Sequence, residues 1–328
     1  MFRTLRPFFI ALLSTWAALW VAAFLYERQH PLSHWIMTAA LPALLVEAFF
    51  YLAAGFEQTR EYLRSISSRR TQAGILWITA LIPYLVFSFT ARTFDRDAFY
   101  LLAALCAVLA FWYAVFPWRF AYDAGFLVIA AAPIVLRTFQ RIYFSPDAHT
   151  RVDVLGHLMW IRLGIAALLV LREWNPGWFS FWPEREEWKA GIVYYVLVLA
   201  PIAALAMALH DVRFAPIEGE WWQITAVALG TFFGVLWVVA LGEELFFRGV
   251  IERAMLDTWR SPVLAIAISA ALFGSAHLWF HTFPDWRRAL VAALLGVACG
   301  IAYWRTGSVR VPMVTHAFVV TTWRVLFK

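Results

Sequence analysis

Long apolar stretches broken by short polar connections run along almost the whole chain. Roughly 17–25 apolar residues suffice for a helix to cross a bilayer. Such stretches fall near 7–26, 34–55, 73–91, 98–118, 120–136, 154–171, 191–209, 222–245, 262–280, 288–304 and 311–327. They predict an all-α, polytopic transmembrane helical bundle of about 10–11 spans. The connection Phe116-Pro117-Trp118-Arg119 is short enough that the fourth and fifth stretches nearly merge. No strand-like alternation, repeat or Gly/Ser linker breaks the pattern. The chain is read in two parts: residues 1–210, helices without a motif, and residues 222–328, where polar side chains gather inside apolar runs.

Composition agrees with this reading. Of 328 residues, 63% are hydrophobic and 15% charged, against about 45–50% and about 25% in soluble domains. The formal charge of +6 is almost wholly arginine, since Lys189 and Lys328 are the only lysines. The arginines sit at the ends of apolar runs, where they anchor helices in the lipid bilayer and do not mark a nucleic-acid partner. Arg3 and Arg6 lie on the same side as Arg60, Arg64, Arg69 and Arg70 after two spans, and the positive-inside rule makes that side cytoplasmic. The arginine bias fits a high-GC bacterial genome, so the expected location is a bacterial inner (plasma) membrane with the N-terminus in the cytoplasm. The run from Phe8 is long enough to span and lacks a small-residue cleavage site, which reads as a retained first span. Cys106 and Cys299 lie within apolar runs and read as core residues.

Isolated polar residues in the first part, Glu47, Asp123, His157 and Arg162, form no spaced constellation. They read as helix-packing ion pairs or snorkelling groups. His210 and Asp211 read as loop residues, His281 as an interfacial histidine, and the tryptophan-rich stretch from Trp174 to Trp188 as an interfacial loop or short helix.

The last third differs. Glu243 and Glu244 end an apolar run, although a charge at membrane depth costs about 2.5–3.5 kcal/mol. Glu244 and Arg248 are four apart and share a helix face, which predicts an ion pair. Glu243, turned about 100° away, is left to handle a proton. Phe273-Gly274-Ser275-Ala276-His277 ends the ninth run, Gly296 and Gly300 give a small-residue face, and His316 stands inside the last run. With a turn at Trp259 to Pro262, Glu243 and His277 each lie about 17 residues, or about 25 Å, from its midpoint. The same counting brings His316 to that level across the tenth run. In a low-dielectric setting a carboxylate is suited to general base work. Glu243 and His277 would hold and activate a water, and His316 would donate to the oxyanion on a scissile carbonyl. That amounts to amide hydrolysis without a covalent intermediate and without a cofactor. The alternative is zinc held by the same Glu and two His, although the H-E-x-x-H signature is absent.

These residues resemble the CPBP family of intramembrane proteases, which includes CAAX prenyl endopeptidases and bacteriocin-processing or immunity proteins. The first family motif, E-E-x-x-x-R, stands as Glu243, Glu244 and Arg248, and the second, F-x-x-x-H, as Phe273 and His277. The third, a Gly-rich helix, a Thr-Gly turn and a histidine, stands as Gly296, Gly300, Thr306-Gly307-Ser308 and His316. The resemblance covers roughly residues 222–325. It implies a glutamic-type intramembrane endopeptidase in which the first Glu and first His activate water and the second His serves the oxyanion. The catalytic set is then Glu243, Glu244, Arg248, His277 and His316. The family commonly carries Asn or Asp four residues after the last histidine, where this chain has Val320. Thr321 or a backbone N–H would have to replace a donor worth about 2.7–4 kcal/mol. Phe273 and Thr321 are accordingly read as substrate-contacting. The implied substrate is a membrane-associated protein, lipidated or carrying a C-terminal sorting helix. The competing readings are a non-catalytic immunity or scaffold protein and a transporter with Glu243 and Glu244 as proton carriers.

Overall fold

A computed structural model describes residues 2–29, 35–66, 68–146, 151–174, 181–279 and 283–328. Residues 175–180 of the tryptophan-rich stretch, together with His281, lie outside the described residues. The protein is 83% helical with 13 helices among the described residues. In hydrocarbon every backbone N–H and C=O must be satisfied within its own segment, and helices achieve this.

The chain divides into two compact units, residues 1–174 and 175–328. The first holds α1 (Phe2–Gln29), α2 (Ile36–Gly55), α3 (Glu57–Ser65), α4 (Arg69–Thr90), α5 (Arg96–Val115), α6 (Phe120–Val135), α7 (Thr138–Ile142) and α8 (Asp153–Leu171). The second holds α9 (Arg185–Ala208), α10 (Trp221–Trp259), α11 (Pro262–Ser275), α12 (Trp286–Thr306) and α13 (Arg310–Leu326). Helix α9, which the sequence grouped with residues 1–210, belongs to the second unit.

Each of the apolar stretches is a helix. Among the described residues, eight helices are long and apolar enough to cross a membrane: α1, α2, α4, α5, α8, α9, α10 and α12. Helices α6 and α11 are apolar but shorter, and α13 has only 17 residues. Two helices were not predicted, the polar α3 and the five-residue α7. Helix starts carry their expected caps. Asp95 accepts from the Ala98 N–H at 2.7 Å, Glu184 and Glu187 form a capping box on α9, and Pro262 opens α11. Gly307 ends α12 at φ 66°, the left-handed conformation that glycine adopts without a Cβ penalty.

Two buried ion pairs lie inside the first unit. Arg162 grips Glu47 through Nε at 2.8 Å and Nη2 at 3.2 Å, and Arg172 bonds Asp123 at 2.9 Å. These are the helix-packing ion pairs that the sequence suggested.

In the second unit small residues set the spacing. A Cβ on Gly274 would fall 2.5 Å from the Ala289 carbonyl oxygen, and one on Gly296 3.0 Å from the Ala270 Cα, so α11 and α12 touch backbone to backbone. Helices α9 and α13 are equally close at Gly191, whose Cβ would meet Val314 at 2.6 Å. Arg310 and Ser308, at the start of α13, both bind Glu187 of α9, at 2.8 and 2.6 Å. These contacts fix the height of α13, and with it His316.

Candidate active site

Glu243 and Glu244 lie on α10 between two wider, π-helical stretches, Val235–Ala240 and Leu245–Glu252. A π turn inserts a residue and rotates the face that follows, a device that recurs at functional sites. Helix α10 therefore continues unbroken well beyond the predicted 222–245, to Trp259.

Glu244 is fully buried, ion-paired to Arg248 and hydrogen-bonded by His316. Arg248 Nη1 lies 3.1 Å from its Oε2, and His316 Nδ1 lies 2.8 Å from its Oε1. The Arg248 guanidinium is itself fully buried. Nη2 donates to the Gly296 carbonyl at 2.9 Å, and the plane rests over the Phe273 ring with its carbon 4.6 Å from the centroid. The predicted pair at four-residue spacing is thus present, and it does more than neutralise Glu244. A carboxylate offers only lone pairs, so the Nδ1 of His316 carries the proton and Nε2 is aimed elsewhere.

Nε2 faces Glu243. It stands 3.9 Å from Glu243 Oε2, beyond hydrogen-bond reach and the kind of gap that one water bridges. That oxygen makes no hydrogen bond, while the Glu243 side chain as a whole is 34% exposed. One carboxylate of the adjacent pair is sealed in and the other is open.

His277 lies in the turn just beyond α11 and is half-buried. Its Nδ1 is 2.9 Å from the Phe273 carbonyl, which can only accept. The proton therefore sits on Nδ1, and Nε2 presents a lone pair. Both imidazoles pack on the Phe273 ring, His277 at 4.9 Å and His316 at 5.7 Å between centroids. Phe273 is 1% exposed, a shared wall between the two histidines and the guanidinium.

Val320 follows His316 by four residues and shares its face of α13, whereas Thr321 points about 140° away. The Thr321 hydroxyl is buried and makes no hydrogen bond. The structure therefore brings Glu243, Glu244, Arg248 and His316 together, sets His277 across Phe273, and leaves Thr321 outside that group. Among the described residues no three His, Cys, Asp or Glu side chains are gathered to hold a metal ion.

One member escaped the sequence reading. Glu252, four residues after Arg248, is fully buried, and its carboxylate fills the space left by Gly300, where a Cβ would come within 2.8 Å. The spacing Glu244, Arg248, Glu252 is a two-turn ladder visible in the sequence. Asp211 is likewise more than a loop residue, since its carboxylate is buried 3.3 Å from Arg288.

Residues 225–322 match the family model described as Type II CAAX prenyl endopeptidase Rce1-like. The match contains Glu243, Glu244, Arg248, Glu252, His277 and His316 and agrees with the resemblance carried by the motifs. No curated protein and no solved structure matches the chain.

Proposed function

We propose that the protein is an integral membrane endopeptidase of the CAAX type acting on membrane-associated proteins, a reading supported by the matched family and the apolar helices. It cleaves a peptide bond by direct attack of water, with Glu243 as the general base. The observation that carries this reading is the 3.9 Å separation of Glu243 Oε2 from His316 Nε2, one group open and the other locked by Glu244.

In this mechanism a water donates to the Glu243 carboxylate and to the His277 Nε2 lone pair. As its oxygen attacks the scissile carbonyl, the proton moves to Glu243. His316, oriented by its Nδ1 bond to Glu244, turns Nε2 toward the developing oxyanion, which it stabilises when Nε2 carries a proton. Collapse breaks the C–N bond, and Glu243 returns its proton to the departing amine. Arg248 keeps Glu244 in place, and Glu244 keeps His316 oriented. No metal enters any step. The substrate in this proposal is a membrane-associated protein cut near its end, in a bacterial inner membrane, with the N-terminus of the protease in the cytoplasm.

The test compares protein termini in membranes carrying the wild type or Glu243→Ala. The proposal expects at least one protein whose terminus is processed only with the wild type. Identical termini in both membranes would refute it.

A further inference from the structure

Glu252 follows Arg248 by one turn of α10 and shares its face, yet the mechanism above gives it no part. It is fully buried, and among the described residues neither of its carboxylate oxygens makes a hydrogen bond. The neighbouring Ser269 hydroxyl donates instead to the Phe247 carbonyl at 3.0 Å. A buried acid without a hydrogen bond is costly, so its retention calls for a cause. Its place is set by α12. A Cβ on Gly300 would fall 2.8 Å from Glu252 Oε2, so the carboxylate sits in a hollow that glycine leaves open.

The guanidinium between the two acids is held in an unusual way. An arginine facing one carboxylate frequently closes its fork on both oxygens. Arg248 does not. Its Nη1 approaches Glu244 Oε2 at 3.1 Å, Nη2 turns to the Gly296 carbonyl at 2.9 Å, and Nε makes no hydrogen bond among the described residues. Glu244 Oε1 is thereby left for His316 Nδ1, at 2.8 Å. Glu252 stands on the opposite side of the guanidinium from Glu244 along the helix, close enough to feel the charge of Arg248.

We propose that Glu252 is a positioning residue: it gives Arg248 a second acid to face, keeps the guanidinium from closing on both oxygens of Glu244, and so leaves Oε1 to orient His316. This role rests on the hydrolytic mechanism proposed for the site, in which His316 must aim Nε2 at the oxyanion. Gly296 and Gly300, one turn apart on α12, receive the guanidinium and the carboxylate in turn. The small-residue face of α12 thus sets the height of the acid–arginine ladder as well as the spacing of the helices.

The test uses the full chain purified in detergent, as wild type, Glu252→Leu and Glu252→Gln. Leucine keeps the bulk without an acceptor, and glutamine keeps both the bulk and one acceptor oxygen. Two quantities are read: the downfield proton resonance of His316 Nδ1–H, assigned by its loss in His316→Ala, and turnover of a membrane-anchored peptide bearing a terminus that the wild type processes. Glu252→Leu should move the resonance upfield and lower kcat by about 10–10²-fold with KM nearly unchanged. Glu252→Gln should bring both back most of the way. An unmoved resonance in Glu252→Leu overturns the proposal, whatever the turnover, because no effect would then pass through His316. Where Glu252→Leu does not fold, Gly300→Ala displaces the same carboxylate, and an unmoved resonance there is equally fatal. An active Glu243→Gln would refute the hydrolytic mechanism instead, and the resonance would still decide whether Glu252 orients His316.

Discussion

Removing Arg248 tests how dry the interior of this site is. On an exposed helix, an acid–arginine pair at four-residue spacing is worth about 0.3–0.5 kcal/mol. Here both partners are fully buried, and the guanidinium also holds the Gly296 carbonyl and covers Phe273. Arg248→Ala leaves the Glu244 carboxylate sealed in without its counter-charge, held only by the His316 hydrogen bond. Breaking a buried pair in this way costs about 3–5 kcal/mol. Replacing both partners, as Glu244→Leu with Arg248→Met, removes the stranded charge and should recover most of that loss, since such swaps are often neutral. The double variant should still be inactive, because His316 Nδ1 has lost the acceptor that orients it. The assay is unfolding of the purified protein in detergent, followed by tryptophan fluorescence, alongside peptide cleavage. A loss of only about 0.5 kcal/mol for Arg248→Ala would mean the pair is solvated, and the account of a sealed clamp would be wrong.

Two further outcomes are expected. His316→Ala should lower kcat by about 10²–10³-fold with little change in KM, as loss of an oxyanion donor does, and an unchanged kcat would remove it from the chemistry. Gly274→Ala should destabilise the second unit by about 1–3 kcal/mol, because its Cβ would fall 2.5 Å from the Ala289 carbonyl oxygen. Gly230→Ala on exposed α10, with nothing within 4 Å, should instead stabilise by about 0.5–1 kcal/mol. Equal thermal shifts for the two glycine variants would show that α11 and α12 are not in backbone contact.

The helices were legible because a bilayer admits few other ways of satisfying the backbone, and the Glu244–Arg248 pair because both groups sit on one helix at a spacing that fixes their contact. Helix rise alone also brought Glu243 and His316 to a common depth. The rotation of each helix about its axis was not legible. The bond from His316 to Glu244 joins residues 72 apart, and it depends on how α9 and Glu187 seat α13. The π-helical stretches of α10 shift its faces without any composition signal, which also hid the continuation to Trp259. Helix α3 escaped because its stretch is polar, and only Arg60 turns inward. Thr321 looked like a substitute donor beside Val320 in the sequence, but one residue of helix turns it away from His316.

The most direct measurement is cleavage by purified protein in proteoliposomes, wild type against Glu243→Gln, using a membrane-anchored peptide found by terminal comparison of membranes. Glutamine keeps the size of the side chain and cannot take up the water's proton, so turnover should fall by about 10²–10⁴-fold while thermal stability is unchanged. Turnover within about threefold of wild type would contradict the account, because Glu243 would then not be the base.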